Sequence, residues 1–274
     1  MTSTRAVPHV GSAAARSLGG PVARAGLVAR GVIYLLIGWV TLMLALGRSN
    51  GQSNKELDQR GALQTLAGKH YGGIALWALV VGFAAYALWR FSEAAWGVTG
   101  EGNGAGPRIK SAFRGIVYTF FAVTTVSVLH GSNSSQAANQ QDVTARVMKH
   151  TGGRWVVGIV GGIVLIVGLS LMLEGLRRKF LKTLRTGEMS QRTRSVVVGL
   201  GVVGTTARGV IFALAGWLVI DAAKTFNPVK ARGLDEALRT LRSESYGAAL
   251  LALAALGLII FGLYGLCEAR WRRV

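Results

Sequence analysis

Half of the 274 residues (51%) are hydrophobic and only 16% are charged, a balance that suits a chain embedded in lipid and excludes an ordinary soluble domain. The net charge of +19 sits between apolar stretches with no interleaved aromatic surface, which argues against a nucleic-acid partner and matches the excess expected of positive-inside loops. A single cysteine, Cys267, rules out an intrachain disulfide and therefore a stapled extracellular fold.

In chain order, residues 1–23 form a basic Ala-, Gly- and Arg-rich tail without the apolar run of a secretory signal. Repeat 1 (24–98) opens on a span that carries Arg30-Gly31-Val32-Ile33-Tyr34 and then Gly38-Trp39. A polar loop follows, with Ala62-Leu63-x-Thr65-Leu66, then Tyr71-Gly72 and a second span bearing Gly82, Tyr86, Trp89 and Glu93. Repeat 2 (108–180) keeps Arg114-Gly115-Ile116-Val117-Tyr118 and Glu174 but diverges elsewhere, and a basic linker (181–195) leads out of it. Repeat 3 (196–273) restores the pattern: Arg208-Gly209-Val210-Ile211-Phe212, Gly216-Trp217, Ala237-Leu238-x-Thr240-Leu241, Tyr246-Gly247, and Gly257, Phe261, Tyr264 and Glu268 at the spacing of the first copy.

These matches predict an all-α integral membrane protein: six transmembrane helices as three tandem two-helix repeats. An even number of spans per unit gives every copy the same sense, so the copies form a pseudo-threefold bundle about an axis along the membrane normal. Between the spans of each unit the sequence predicts a short amphipathic helix. In copy three Leu234, Leu238 and Leu241 share a face while Asp235, Glu236, Arg239 and Arg242 lie elsewhere. That pattern favours a connector resting on lipid over a gating lid.

The Arg-Gly-aliphatic-aliphatic-aromatic start and the Tyr-Ala-Leu-Trp-Arg-x-x-Glu end (Tyr86 to Glu93) resemble a bacterial family of membrane proteins, the domain of unknown function 1206 family. The resemblance covers roughly residues 24 to 273. It implies the three-repeat fold and no particular activity. Copy two departs from the end motif between Val167 and Glu174.

Helix length moves the repeated charges into the membrane. Counted from the Arg, each first span falls short of the roughly 20 residues needed to cross hydrocarbon, so each helix starts upstream and carries its Arg about one turn inside. The Glu of the second span returns to the same leaflet, where an unpaired charge costs a few kcal/mol. The expectation is three structural clasps, Arg30 with Glu93, Arg114 with Glu174 and Arg208 with Glu268, formed within a unit or between neighbours around the ring.

Nineteen Lys and Arg lie on the side shared by the termini and twelve on the other, which places both termini in the cytoplasm of a multi-pass protein of the cell (inner) membrane. The segment holding Arg177, Arg178, Lys179, Lys182 and Arg185 mixes basic and apolar residues at helical spacing. It reads as a helical extension lying on anionic headgroups. Gly158 and Gly162, at GxxxG spacing and accompanied by Gly161 and Gly168, read as a close-packing face of the fourth span.

The sequence from Gly199 to Gly204 matches a dinucleotide fingerprint but lacks the strand that motif requires. His9, His70, His130 and His150 lie outside the span centres, and no nucleophile set, paired carboxylates or CxxC occurs. No enzyme, metal or cofactor is expected. The leading reading is a structural or accessory protein packing with membrane lipids, a membrane-protein partner or a second copy. The alternative is a small-solute or ion transporter or channel along the pseudo-threefold axis, decided by whether that axis is packed or open.

Overall fold

The computed structural model describes residues 10–47, 57–97, 105–131 and 135–272, with side chains from Gly20 onward. Of the tail at 1–23, residues 1–9 and with them His9 lie outside the described residues. Each unit is a long helix, a short helix and a long helix: α1 (Val10–Ala45), α2 (Gln59–Ala67) and α3 (Gly72–Trp96); α4 (Ala105–Leu129), α5 (Gln136–Lys149) and α6 (Gly153–Leu176); α7 (Gln191–Thr225), α8 (Leu234–Ser243) and α9 (Gly247–Trp271). The six long helices are long and apolar enough to cross a membrane, and the described residues form no strand. Helices α1, α4 and α7 all begin upstream of their Arg-Gly, so each Arg lies inside its helix.

The bundle closes as a ring because the second long helix of one unit packs against the first of the next: α3 on α4, α6 on α7, and α9 back on α1. The glycine of each Arg-Gly sits at these crossings. A Cβ on Gly31 would meet the carbonyl oxygen of Gly262 at 2.9 Å, one on Gly115 the Phe91 ring at 2.8 Å, and one on Gly209 the backbone nitrogen of Met172 at 2.4 Å. The motif that marks each repeat therefore also lies at a close approach of its neighbour.

Packing inside a unit is not the same in all three copies. Helices α1 and α3 meet where Ala29 faces Gly82 and Gly26 faces Tyr86; α7 and α9 meet at the matching positions, Ala207 on Gly257 and Gly204 on Phe261. Counted from the Arg and the Glu of copy two, those positions hold Lys110, Phe113 and Ile163. Three small residues have become large ones, Phe113 and Ile163 are 66% and 56% exposed, and α4 and α6 are not a packed pair. A gap consequently opens between them.

The short helices α2 and α8 correct the expectation of connectors resting on lipid. In α2 the run Gln59 to Leu63 is buried, and in α8 Leu238 and even Asp235 are buried. Asp58 caps α2 by accepting from the backbone N–H of Arg60 and Gly61. Asp235 Oδ1 accepts the backbone N–H of Leu57 at 2.8 Å and its carboxylate pairs with Arg239 at 2.9 Å, tying the third unit's short helix to the first unit's. Periodicity reports only that these helices are two-faced, and a polar face that finds partners inside the protein reads the same as one that faces water. Asp235→Ala should cost about 1–2 kcal/mol by orphaning the Leu57 amide. Faster hydrogen exchange at Leu57 is the measurement, and unchanged protection there would contradict the assignment.

Two further expectations are corrected. Gly162 has nothing within 4 Å of its Cβ position and Gly158 only the Ala223 methyl at 3.9 Å. Gly161 and Gly168, which accompany that pair, do make the close approach of α6 to α7, against Gly216 and Gly209, and Gly175, two turns further on, continues it against Thr206. The basic segment after Leu176 does not continue the helix. Arg178 turns left-handed (φ 54°), Lys179–Thr183 forms a 3₁₀ turn, and Phe180 is buried over Gly201 with its ring 5.2 Å from that of Tyr264. Leu184 then pairs with Arg272 as an isolated bridge, with the Arg185 N–H donating to the Trp271 carbonyl. Burying Phe180 stabilises this turn more than a straight helix with its aromatic side chain in water. Arg177, Arg178, Lys179 and Lys182 stay exposed and Arg185 is half-buried. Gly199 to Gly204 lie within α7.

Candidate functional site: a buried charge cluster beneath an axial chamber

The Arg and Glu residues of the repeats gather near the end of the bundle at which α3, α6 and α9 finish. Arg30 Nη2 donates to Glu268 Oε2 at 2.5 Å, across the α1–α9 crossing, and Arg272, the residue just past the end of α9, donates to the other oxygen of Glu268. Arg90 donates from Nη1 to Glu93 Oε2 and from Nη2 to the Tyr86 hydroxyl, both at 2.6 Å, and the Ser111 hydroxyl of α4 donates to Glu93 as well. All of Arg30, Arg90, Glu93, Glu268 and Arg272 are at least 90% buried. Helix register makes these bonds possible, because Arg90 and Glu93 are three apart and Glu268 and Arg272 four apart on one helix face.

The predicted clasps are thus rearranged. Arg30 pairs with Glu268 and not with Glu93, whose Oε2 accepts from both Arg90 and Ser111. Among the described residues Arg208 reaches no carboxylate, since Glu268 is already held twice. Its guanidinium stacks on the rings of Phe261, Phe212 and Tyr34 at 4.8, 5.0 and 5.1 Å, and its Nε is buried without a partner. Arg114 and Glu174 are half-buried and form no ion pair among the described residues, as expected where α4 and α6 do not pack. Arginines outnumber carboxylates here, and aromatic faces take up the surplus: Trp89 is contacted by both Arg90 (4.3 Å) and Arg272 (5.3 Å). Each such cation–π contact is worth about 2 kcal/mol or more when desolvated.

Arg90 and Arg272 are the members that sequence reading missed. Their signal is present in the sequence, as an Arg three residues before one Glu and four after the other, but both stand where a span ends and so read as charge at the membrane surface.

A chamber of about 220 Å3 lies on the axis between this cluster and the short helices. Its walls come from equivalent positions on the three first helices, Tyr34 and Ile37 of α1, Phe121 of α4, and Phe212 and Ala215 of α7. Its roof is polar: Asp58 and Gln59 from α2 and its cap, and Gln136 and Gln140 from α5. Gln59 is 95% buried, and neither its Oε1 nor its Nε2 has a hydrogen-bond partner. The gap between α4 and α6, a cavity of about 680 Å3, shares Gln136, Gln140, Val164, Ala215 and Gly233 with the chamber wall. The two spaces adjoin at these residues.

Among the described residues no group of three or more His, Cys, Asp or Glu is placed to hold a metal, and His70, His130 and His150 are exposed.

A family model described as Domain of Unknown Function (DUF1206) matches three stretches of the chain, residues 25–97, 109–178 and 196–272. The chain is also similar to Uncharacterized protein YxxB of Bacillus subtilis (strain 168), with 29% identity over 254 residues that cover 92% of this chain and 90% of that one. No solved structure matches.

Proposed function

The chain belongs to the Domain of Unknown Function 1206 family, and on that premise we propose that it is a structural or accessory membrane protein, packing with lipids or with a larger membrane complex, and neither an enzyme nor a conduit. The observation that carries this reading is the plugged end of the axis. There the Arg30–Glu268–Arg272 and Tyr86–Arg90–Glu93 groups and their aromatic rings lie buried. Moving an ion through such a plug would expose several paired charges at once, at a cost of several kcal/mol each. On the same reading both termini lie in the cytoplasm, the exposed Arg177, Arg178, Lys179 and Lys182 contact anionic headgroups, and a reporter fused after Val274 stays inside the cell membrane.

The experiment is reconstitution into sealed vesicles. Leak of protons, potassium and a small neutral solute should equal that of protein-free vesicles, and protein-dependent, saturable flux would overturn the reading. The axial chamber favours the second reading, a transporter along the pseudo-threefold axis, and the same flux assay separates the two.

A further inference from the structure

We propose that the axial chamber and the α4–α6 gap together form a binding site for one neutral, single-chain amphiphile, its hydrogen-bonding headgroup beneath Gln59 and its acyl chain in the gap. The inference goes beyond the accessory reading and holds whether or not the axis conducts.

Gln59 carries the first step. A carboxamide buried without partners costs free energy at both its donor and its acceptor, and native proteins keep such groups only where something satisfies them. This one lines the chamber roof, beside the amides of Gln136 and Gln140. Its complement is a group that both donates and accepts, such as a hydroxyl or an amide.

Charge selects a neutral head. The ionisable groups at this wall are Asp58 and Arg60, opposite in sign, and Asp58 is already engaged with backbone N–H groups. Arg208, the nearest large surplus of charge, stacks on Tyr34 and Phe212 and does not line the chamber.

Shape selects a single chain. The gap borders the chamber at Val164 and Ala215 and is apolar along Phe120, Val123 and Val160, all three of them at least 50% exposed to the surroundings of the bundle. It lies where α4 and α6 do not pack, the unit in which Phe113 and Ile163 stand at the positions that hold alanine and glycine in the other copies. Spaces of a few hundred Å3 hold one ligand of modest size. The groove between α1 and α3, about 490 Å3, is lined by Val32, Leu36, Leu79 and similar residues and has no such amide, so it serves as an internal control.

The test uses the full chain in detergent micelles and a monoolein analogue with a photoreactive diazirine in its acyl chain. Labelled peptides should map to α4 and α6 at the gap, and excess monoolein should compete the label away while oleate does so far less. Gln59→Leu should weaken labelling by about tenfold, the loss of one to two buried hydrogen bonds. Val164→Trp, which fills the junction of gap and chamber, should abolish it. Label spread evenly over the lipid-facing helices, label concentrated in the α1–α3 groove, or oleate displacing the probe better than monoolein would each overturn the proposal. The mapping and competition arms use the unaltered protein and decide the matter even where a variant fails to fold.

Discussion

Glu268→Ala should destabilise the protein by about 3–5 kcal/mol, more than any other single charge deletion, because it strands two buried arginines, Arg30 and Arg272, at once. Arg30→Ala should cost less, since Glu268 keeps Arg272. The double variant should cost clearly less than the sum, because the second deletion removes a charge that the first left uncompensated. Glu268→Gln separates charge from packing: it fills the same space and should recover only a minor part of the loss. Equilibrium unfolding in mixed micelles supplies all four values. Additivity of Arg30→Ala and Glu268→Ala to within about 0.5 kcal/mol would mean that the two side chains do not interact. Arg208→Ala provides the contrast, because its stabilisation comes from three aromatic rings, and pairing it with Glu268→Ala should give a smaller coupling than Arg30 does.

That cluster also marks where the sequence stops being informative. Placing Arg30, Arg114 and Arg208 inside helices follows from span length alone, and the structure starts all three helices upstream of them. Assigning their partners does not follow, since a repeat unit read by itself cannot say whether its Glu faces its own Arg or its neighbour's. Ring closure through α9 and α1 decides that, and it brings Glu268 to Arg30. The divergence of copy two was equally visible in the sequence, but its meaning was not. Lys110, Phe113 and Ile163 become evidence for a gap only once Gly26, Ala29 and Gly82 are seen to be the contact residues of copy one. Gln59 left no trace in pattern at all. A glutamine in a short polar helix looks solvated, and its burial depends on the short helices of all three units meeting over one chamber.

The glycines of α6 offer the second large effect. Gly168→Leu should cost about 3 kcal/mol, the upper end for overpacking, and Gly216→Leu a similar amount. A Cβ at Gly168 would sit 2.3 Å from the backbone nitrogen of Ala213, and one at Gly216 2.3 Å from that of Leu165, so the obstacle is main chain that cannot rotate aside. Relief requires separating α6 from α7 along the whole crossing, including the contacts of Gly161 and Gly209. Gly162→Ala, six residues away on the open face, meets nothing within 4 Å and should stabilise by up to about 1 kcal/mol through helix propensity. The two substitutions differ in sign although Gly162 belongs to the GxxxG pair and Gly168 does not. Parallel melting of both variants in one detergent therefore separates a packing face set by helix geometry from one read off a motif. Equal melting temperatures for Gly168→Leu and the unaltered protein would show that α6 and α7 do not approach as closely as their backbones indicate here.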